Sequence, residues 1–308
     1  MTVPLFDAHC DTALCVYEKQ TSLRENGLHT DLARRCAFSP CAQFFAVFSD
    51  AGETDPATNC RAELRYFKKE LAKNADLVSL CRTAEEAKAA VSGGKTAAFL
   101  SVEGAEQLGC SLDGLAWAYE EGVRAVNLTW NYANALSGSN ADEPERGLSD
   151  EGKAFVRRCR ELGVLPDVSH LSERGFWDLY ELGGPIFASH SNAKAVFGHK
   201  RNLTDEQFRA VAESGGFAGL NLYAAFLGER PTLDTVIAHA EHFLALGGEK
   251  ALGLGADLDG CDELPEGITG VQDMGKLYEA FLRRNYGEDL VRDIFWGNLF
   301  SLIERNVK

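Results

Sequence analysis

Six side chains of the kinds that bind metal ions follow short apolar segments of the 308-residue chain. His9 and Asp11 come directly after the apolar start of MTVPLFDAHCDTAL and are separated by one residue. Residues two apart in an extended segment point to the same side, so both side chains can face one pocket. The corresponding position in four other segments is held by Glu103, His170, His190 and Asp257.

These six side chains exceed what one tetrahedral zinc ion needs, because such a site uses about four ligands. A carboxylate bridging two metal ions about 3.5–4 Å apart would account for the surplus. Two zinc ions can hold hydroxide at neutral pH, and hydroxide attacks an amide or ester carbonyl. Asp257 could then take the proton and hand it to the leaving amine. The residues alone therefore predict a binuclear metallohydrolase.

Single histidines and acids near strand ends usually serve the structure, as hydrogen-bonded core residues or helix caps. We expect that ordinary role for the other four histidines, because nothing near them completes a site. They are His29, His199, His239 and His242. Cys10, between two of the six residues, should point away from them and pack. Six coincidences at strand ends are improbable, so we interpret the six residues together as a metal site.

Eight short, nearly continuous apolar runs have the character of strands covered on both faces. They span residues 3–9, 42–49, 96–104, 123–130, 164–170, 185–190, 216–222 and 251–257. Between them lie amphipathic helical stretches, among them residues 61–74, 112–122, 150–163 and 204–216. Thr83 with Glu86 and Thr204 with Gln207 fit a capping box at a helix start.

Strands that alternate with helices without a break in composition predict an α/β fold, a single (β/α)8 TIM barrel over residues 1–308. A doubly wound open sheet is the alternative, but no G-x-G-x-x-G follows an early strand. The strand-to-helix loops are long and the helix-to-strand turns short. Barrel enzymes build their sites on the former.

The composition narrows the class of protein. A formal net charge of -15 disfavours nucleic acids and anionic membranes as partners. The nine cysteines are scattered without a C-x-x-C pair, which favours free thiols in a reducing compartment. Neither a signal peptide nor about 18 consecutive apolar residues is evident, so we expect a cytoplasmic protein without a membrane segment.

Six motifs in order resemble the membrane (renal) dipeptidase family of zinc metallopeptidases, in a bacterial-type form, over nearly the whole chain. They are FDAHCDTAL, SVEGAEQL, NLTWN, DVSHLSERGFWDL, ASHSNAKAVFGHKRNLTDEQF and GLGADLDG, and GNLFSLIE resembles the family's closing helix. The resemblance implies a metal-dependent amidohydrolase barrel with two zinc ions per chain. Homodimers are common in this family, and the sequence does not locate an interface.

The resemblance also implies roles for individual residues. His9 and Asp11 would bind one zinc ion, His170 and His190 the other, and Glu103 would bridge both. Asp257 would be the acid and base beside the bridging water. Arg201, in HKRN, matches the arginine that binds the substrate carboxylate, a task that suits its planar fork. Tyr223 and Asn298 fall in family-like segments with weaker claims on the site.

One position departs from the animal enzymes, which carry a substrate-contacting histidine after the LT of the fourth strand. Here that position is Trp130, whose indole donates one hydrogen bond and does not titrate. Bacterial members of the family share this tryptophan. We expect Trp130 to shape the substrate pocket, while Asn131 or Tyr132 supplies a donor.

These features predict a dipeptidase that hydrolyses short dipeptides, L-Xaa followed by an L- or D-residue, through a metal-bridging hydroxide. Two alternatives remain open at this point. The same metals would serve another amidohydrolase activity, such as an N-acyl amino acid deacylase or a lactonase. A non-catalytic barrel that holds a peptide would explain Trp130, but it has no need of a complete set of metal ligands.

Overall fold

The computed structural model describes residues 2–50 and 55–308 and contains nine parallel strands. They are β1 Leu5–Asp7, β2 Cys41–Val47, β3 Val78–Leu80, β4 Thr96–Val102, β5 Val123–Asn127, β6 Leu165–Asp167, β7 Phe187–Ala188, β8 Phe217–Leu220 and β9 Leu252–Leu254. Eight of them close a barrel, because β2 pairs with β1 on one side and with β4 on the other. The predicted (β/α)8 barrel is thus confirmed.

The ninth strand, β3, was not predicted. Val78–Leu80 pairs with Thr96–Ala98, the first residues of β4, while β5 pairs further along β4. β3 is therefore an appendage of the sheet and not a stave of the barrel. Val78 is buried but Ser79 and Leu80 are only partly buried, so β3 lacks the continuous apolar pattern that marks the other strands.

Thirteen α-helices of the described residues surround the barrel or cross its ends. They are α1 Thr12–Lys19, α2 Leu32–Arg35, α3 Pro56–Lys73, α4 Ala84–Ser92, α5 Leu112–Glu121, α6 Asp150–Leu162, α7 Glu173–Glu181, α8 Asp205–Glu213, α9 Ala224–Leu227, α10 Leu233–Ala245, α11 Met274–Arg283, α12 Glu288–Arg292 and α13 Asn298–Asn306. None of these helices, in the ranges described, has the length and apolar composition needed to cross a membrane.

The predicted helix starts are real, with one difference. Thr204 and Gln207 form the complete capping box at the start of α8. At α4, Thr83 accepts a hydrogen bond from the Glu86 backbone N–H, but the Glu86 carboxylate accepts from the N–H of Arg82 instead of Thr83. Either arrangement satisfies N–H groups that a helix start leaves without partners.

Aromatic rings fill the barrel beneath its mouth. Phe6 stacks on Phe44 and Phe99, with centroids 6.0 and 5.7 Å away. Phe44 on β2 also lies 6.0 Å from Phe187 on β7, although these strands are not neighbours in the sheet. The contact therefore crosses the interior, which is a packed core and not a pore. This core supports the strand ends that carry the functional side chains.

Candidate metal centre

The structure brings the six predicted residues together at the carboxyl-terminal mouth of the barrel. Glu103 directly follows β4, and the other five lie two to four residues beyond β1, β6, β7 or β9. All six are at least nine-tenths buried, with relative exposures between 1% and 7%. A buried cluster of acids and imidazoles is costly unless charges are compensated, so its presence indicates a functional site.

Two groups of ligand atoms share one carboxylate. Nε2 of His9 lies 3.3 Å from Oδ2 of Asp11 and 3.6 Å from Oε2 of Glu103. The other oxygen, Oε1 of Glu103, lies 3.1 Å from Nε2 of His170 and 3.6 Å from Nε2 of His190. Each group has the compactness of a metal site. Glu103 thus offers one oxygen to each group, as a bridging ligand does.

Unsatisfied buried atoms indicate that these groups fit metal ions. Nε2 of His9 and Oδ1 of Asp11 are buried and have no hydrogen-bond partner. Buried polar atoms are normally paired, because an unpaired one costs about 1–3 kcal/mol. Nε2 of His170 also faces Nε2 of His190 at 3.1 Å. A cation between these nitrogen and oxygen atoms would satisfy all of them, and His with carboxylate is a donor set that zinc accepts.

The electrostatics of the cluster favour the same interpretation. Burial raises the pKa of Glu103 to about 7. Burial opposes the charged form of His9, but the carboxylates of Glu103 and Asp11 outweigh it and raise the pKa of His9 well above its ordinary value. Burial, together with nearby cations, holds the pKa of His170 and His190 well below the ordinary value. These two imidazoles are therefore neutral, the form that binds metals.

Hydrogen bonds orient two of the imidazole rings. Nδ1 of His170 donates to Oδ1 of Asn131 at 2.9 Å, which leaves the lone pair of His170 on Nε2, toward the site. Nδ1 of His190 lies 2.6 Å from Oγ of Ser189. Asn131, expected as a donor to substrate, therefore uses its carbonyl oxygen to position His170. Tyr132 is exposed and lies edge-on to Trp130, at the rim.

Two buried aspartates that sequence reasoning missed support the ligand-bearing strands. Oδ1 of Asp7 accepts from the backbone N–H groups of His9 and Ala256, on the adjacent strand's extension. Oδ1 of Asp167 accepts in the same way from the N–H groups of Ser169 and Ser189. Each carboxylate joins two neighbouring strand ends just before a histidine. In the sequence, each aspartate stands two or three residues before a histidine, in DAH and DVSH. This shared spacing could have identified both aspartates.

Asp257 is held at the edge of the cluster. Its Oδ2 accepts from Nδ2 of Asn221 at 2.9 Å, and its Oδ1 lies 3.9 Å from Nε2 of His9. Burial raises the pKa of Asp257 to about 6. A Cβ at Gly260 would collide with Oδ1 of Asp257 and Oδ2 of Asp11, so a side chain there would displace both carboxylates. Asn221 and Gly260 are functional candidates that the sequence reasoning missed.

Two of these positions have a left-handed backbone, with φ of 71° at His170 and 59° at Asp257. Residues other than glycine rarely adopt this conformation, and it costs of order 1–3 kcal/mol. Such strain persists where the surroundings over-determine it, as at functional sites.

A cavity of about 350 Å³ opens over the cluster. Its apolar walls include Phe48, Trp130, Tyr223 and Phe226, while Asp11, Glu103, His170 and Asp257 lie on its polar side. Trp130 packs 4.6 Å from Phe48 between ring centroids, so the indole forms a fixed wall. The size and mixed lining suit a small polar ligand.

Arg201 lies behind His190 and is 5% exposed. Its Nη2 donates to the backbone oxygen of His190 at 3.3 Å, and its Nε has no hydrogen-bond partner. Asn298 instead donates to the oxygens of Glu249 and Leu252, where β9 begins. That is the end of the strand opposite Asp257, so the structure does not bring Asn298 to the site.

The remaining histidines and Cys10 have the structural roles expected of them. His239 accepts from the N–H of Ala193 and bonds to the oxygen of Leu227, and His242 pairs with Asp205. His29 accepts from the N–H of Asp259, and the ring of His199 stacks on Phe226. The Cys10 thiol donates to the oxygen of Phe44, away from the cluster.

Comparison with known sequences finds a family match over nearly the whole chain and relatives that match most of it. A profile of the membrane dipeptidase family, peptidase family M19, matches residues 1–307. An uncharacterized protein in the pqqA 5' region of Klebsiella pneumoniae is 30% identical over 263 residues, which are 81% of this chain and 97% of that protein. An uncharacterized dipeptidase of Schizosaccharomyces pombe is 32% identical over 275 residues, 82% of this chain and 65% of the relative.

Solved structures share the whole fold. The dipeptidase AC, a metallopeptidase of family M19, superposes with a TM-score of 0.90 at 29% identity, covering 100% of this chain and 99% of that one. A metallopeptidase of Rhodobacter sphaeroides was solved with a phosphinate mimic of the dipeptide L-Ala-D-Ala. It superposes with a TM-score of 0.89 at 28% identity, covering 99% of this chain and 100% of that one. The chain thus belongs to the membrane dipeptidase family of metallopeptidases, peptidase family M19.

Proposed function

We propose that this metallo-dipeptidase uses two zinc ions to hydrolyse short dipeptides, L-Xaa followed by an L- or D-residue. The observation that carries the proposal is the pair of ligand groups sharing Glu103. His9 and Asp11 would hold one ion, and His170 and His190 the other. When bound, the two ions would activate the attacking water and polarise the scissile carbonyl.

Asp257 is the proposed acid and base. Asn221 fixes Oδ2, and Oδ1 remains directed toward His9 at the floor of the cavity. From there the carboxylate takes the proton of the attacking water and passes it to the nitrogen of the leaving amine. Its buried environment holds the pKa of Asp257 near the range in which both steps are feasible.

Arg201 is proposed to bind the free carboxylate of the substrate. Its Nε has no hydrogen-bond partner, and a guanidinium pairs with a carboxylate through two parallel hydrogen bonds. A requirement for that carboxylate next to the scissile bond limits cleavage to the bond before the C-terminal residue, and a dipeptide is the shortest such substrate. Trp130 and Tyr223 would flank the substrate as walls of the cavity. The dipeptide mimic bound to the Rhodobacter relative supports this substrate class, including a D-residue.

The proposal is tested by following amine release from L,L- and L,D-dipeptides and from their N-acetylated forms. We expect the zinc-loaded protein to cleave free dipeptides and the chelator-stripped protein to cleave none. Cleavage of the acetylated forms alone would replace the proposal with a deacylase. Bound zinc without any cleavage would favour a binding protein.

A further inference from the structure

A second cavity, of about 150 Å³, lies beside the metal centre and shares His170 with the first. Three cationic residues line it: Lys194, Lys200 and Arg201. Glu173, an exposed residue at the start of α7, is the one acid in the lining. The balance of charge around this cavity is therefore positive, although the chain as a whole carries a net charge of -15.

The two lysines have no acidic partner in the described parts of the chain. Neither Lys194 nor Lys200 forms an ion pair within 4 Å, unlike Lys68, which pairs with Glu121, and Lys276, which pairs with Asp273. Lys194 is half-buried and Lys200 exposed. Burial lowers the pKa of His199, and the positive charges of Arg201 and Lys200 lower it further. The positive charge of this region therefore acts on a neighbouring side chain.

Arg201 alone can satisfy the α-carboxylate of a dipeptide, since its fork offers two parallel donors. The two lysines then remain as point charges without a partner in the substrate backbone. The cavity adjoins His170 on the side of Arg201, which in the proposed binding mode is the side of the C-terminal residue. Its volume suits a short side chain, and Ser191 and Asn140 add polar groups to the lining.

We propose that this cavity is the specificity pocket for the C-terminal residue and takes an acidic side chain. Dipeptides ending in Asp or Glu, with two carboxylates on that residue, would be preferred over dipeptides with the isosteric amides. The inference rests on the proposed dipeptidase function and adds Lys194 and Lys200 as its specificity-determining residues.

The test compares kcat/KM for Ala-Asp with Ala-Asn and for Ala-Glu with Ala-Gln, each with an L- and a D-residue at the second position. Ala-Ala is the reference substrate. We expect the acid to be favoured over its amide by about tenfold or more, the size of one charge-assisted hydrogen bond. The ratio should fall as salt is added, since Lys200 is exposed.

The variants separate this pocket from a general effect of charge. Lys194→Gln with Lys200→Gln should bring the acid-to-amide ratio close to one. Lys200→Gln alone should lower it, and this exposed side chain can be replaced without disturbing the core. Lys69→Gln, an exposed position on α3 remote from both cavities, removes the same charge and should leave the ratio unchanged.

The outcomes distinguish the proposed specificity pocket from the proposed dipeptidase activity on which it depends. Hydrolysis of Ala-Ala with equal rates for acids and amides would overturn the specificity pocket and leave the dipeptidase standing. An acid preference that survives both lysine substitutions would also overturn it. Failure to hydrolyse any free dipeptide would remove the proposed function, and the inference would fall with it.

Discussion

Asp257→Asn is the residue-scale test of the proton transfer. Asparagine keeps the shape of the side chain and can still contact Asn221, but it cannot carry the proton from water to the leaving amine. We expect kcat to fall by about 10²–10⁴, the usual contribution of a positioned acid or base. Zinc content, measured by atomic emission, should remain that of the unsubstituted protein. Turnover at the normal rate would contradict the assigned role.

Asn131 tests the orientation of His170. Asn131→Leu removes the oxygen that accepts from Nδ1 of His170, whereas Asn131→Asp retains an acceptor. We expect the leucine variant to bind zinc about 10–100-fold more weakly, as is typical when a ligand loses its hydrogen-bonded support. The aspartate variant should stay near the unsubstituted affinity. Competition with a zinc chelator measures the zinc affinity of both variants. Equal affinities for the leucine and aspartate variants would show that Asn131 does not fix the tautomer of His170.

At this scale the sequence was informative about residue types but not about partners. The six clustered residues were predictable because residues of metal-binding types stand out at strand ends. Asn221 and Gly260 were not, since an amide or a glycine in a loop has many ordinary explanations. Their importance depends on which atoms lie close together in the folded chain. Asn221, for example, donates a hydrogen bond to Asp257, which is 36 positions away in the sequence.

At the scale of elements, β6 and β7 depend on the buried carboxylate of Asp167. Asp167→Leu would leave the N–H groups of Ser169 and Ser189 without an acceptor. Each unpaired buried group costs about 1–3 kcal/mol, so the zinc-free protein should lose about 2–6 kcal/mol of unfolding free energy in urea. Asp167→Asn, which keeps an oxygen at that place, should lose much less. Equal losses would show that the bridging bonds contribute little.

The barrel itself was predictable, because eight buried strands alternate with amphipathic helices along the chain. The positions at which the strands end were harder to predict. Residues 168–170 belong to the segment 164–170 predicted as a strand, but β6 ends at Asp167 and His170 has a left-handed backbone. Beyond Asp167 the backbone leaves the sheet, and the Asp167 carboxylate accepts from the N–H groups of Ser169 and Ser189. Local patterns do not reveal that, since it results from convergence of several strand ends.

At the scale of the whole molecule, the metal centre should couple stability to pH. In metal-free protein, burial raises the pKa of Glu103 to about 7, and the carboxylates of Glu103 and Asp11 raise the pKa of His9 well above the ordinary value of 6.5. The folded cluster therefore retains a proton near neutral pH that the unfolded chain has largely released. The folded state thus binds more protons, and its stability falls as pH rises above about 6.5. His170 and His190 are neutral in the folded state and lose their protons near pH 6.5 in the unfolded chain, so they oppose this loss of stability only near that pH.

We therefore expect the metal-free protein to unfold at a lower temperature at pH 8 than at pH 6.5. The zinc-loaded protein should not show this loss, because bound cations compensate the carboxylates and need deprotonated ligands. Thermal unfolding at the two pH values, with and without chelator, measures the difference. Metal-free protein that becomes more stable between pH 6.5 and 8 would contradict the assigned electrostatics.

The central claim is that the mouth of this barrel holds two metal ions joined by Glu103. The most direct measurement is an anomalous difference map from a crystal of the zinc-loaded protein. The account predicts two zinc peaks, one beside His9 and Asp11, the other beside His170 and His190, with one Glu103 oxygen on each. A single peak, or two peaks that Glu103 does not join, would contradict it.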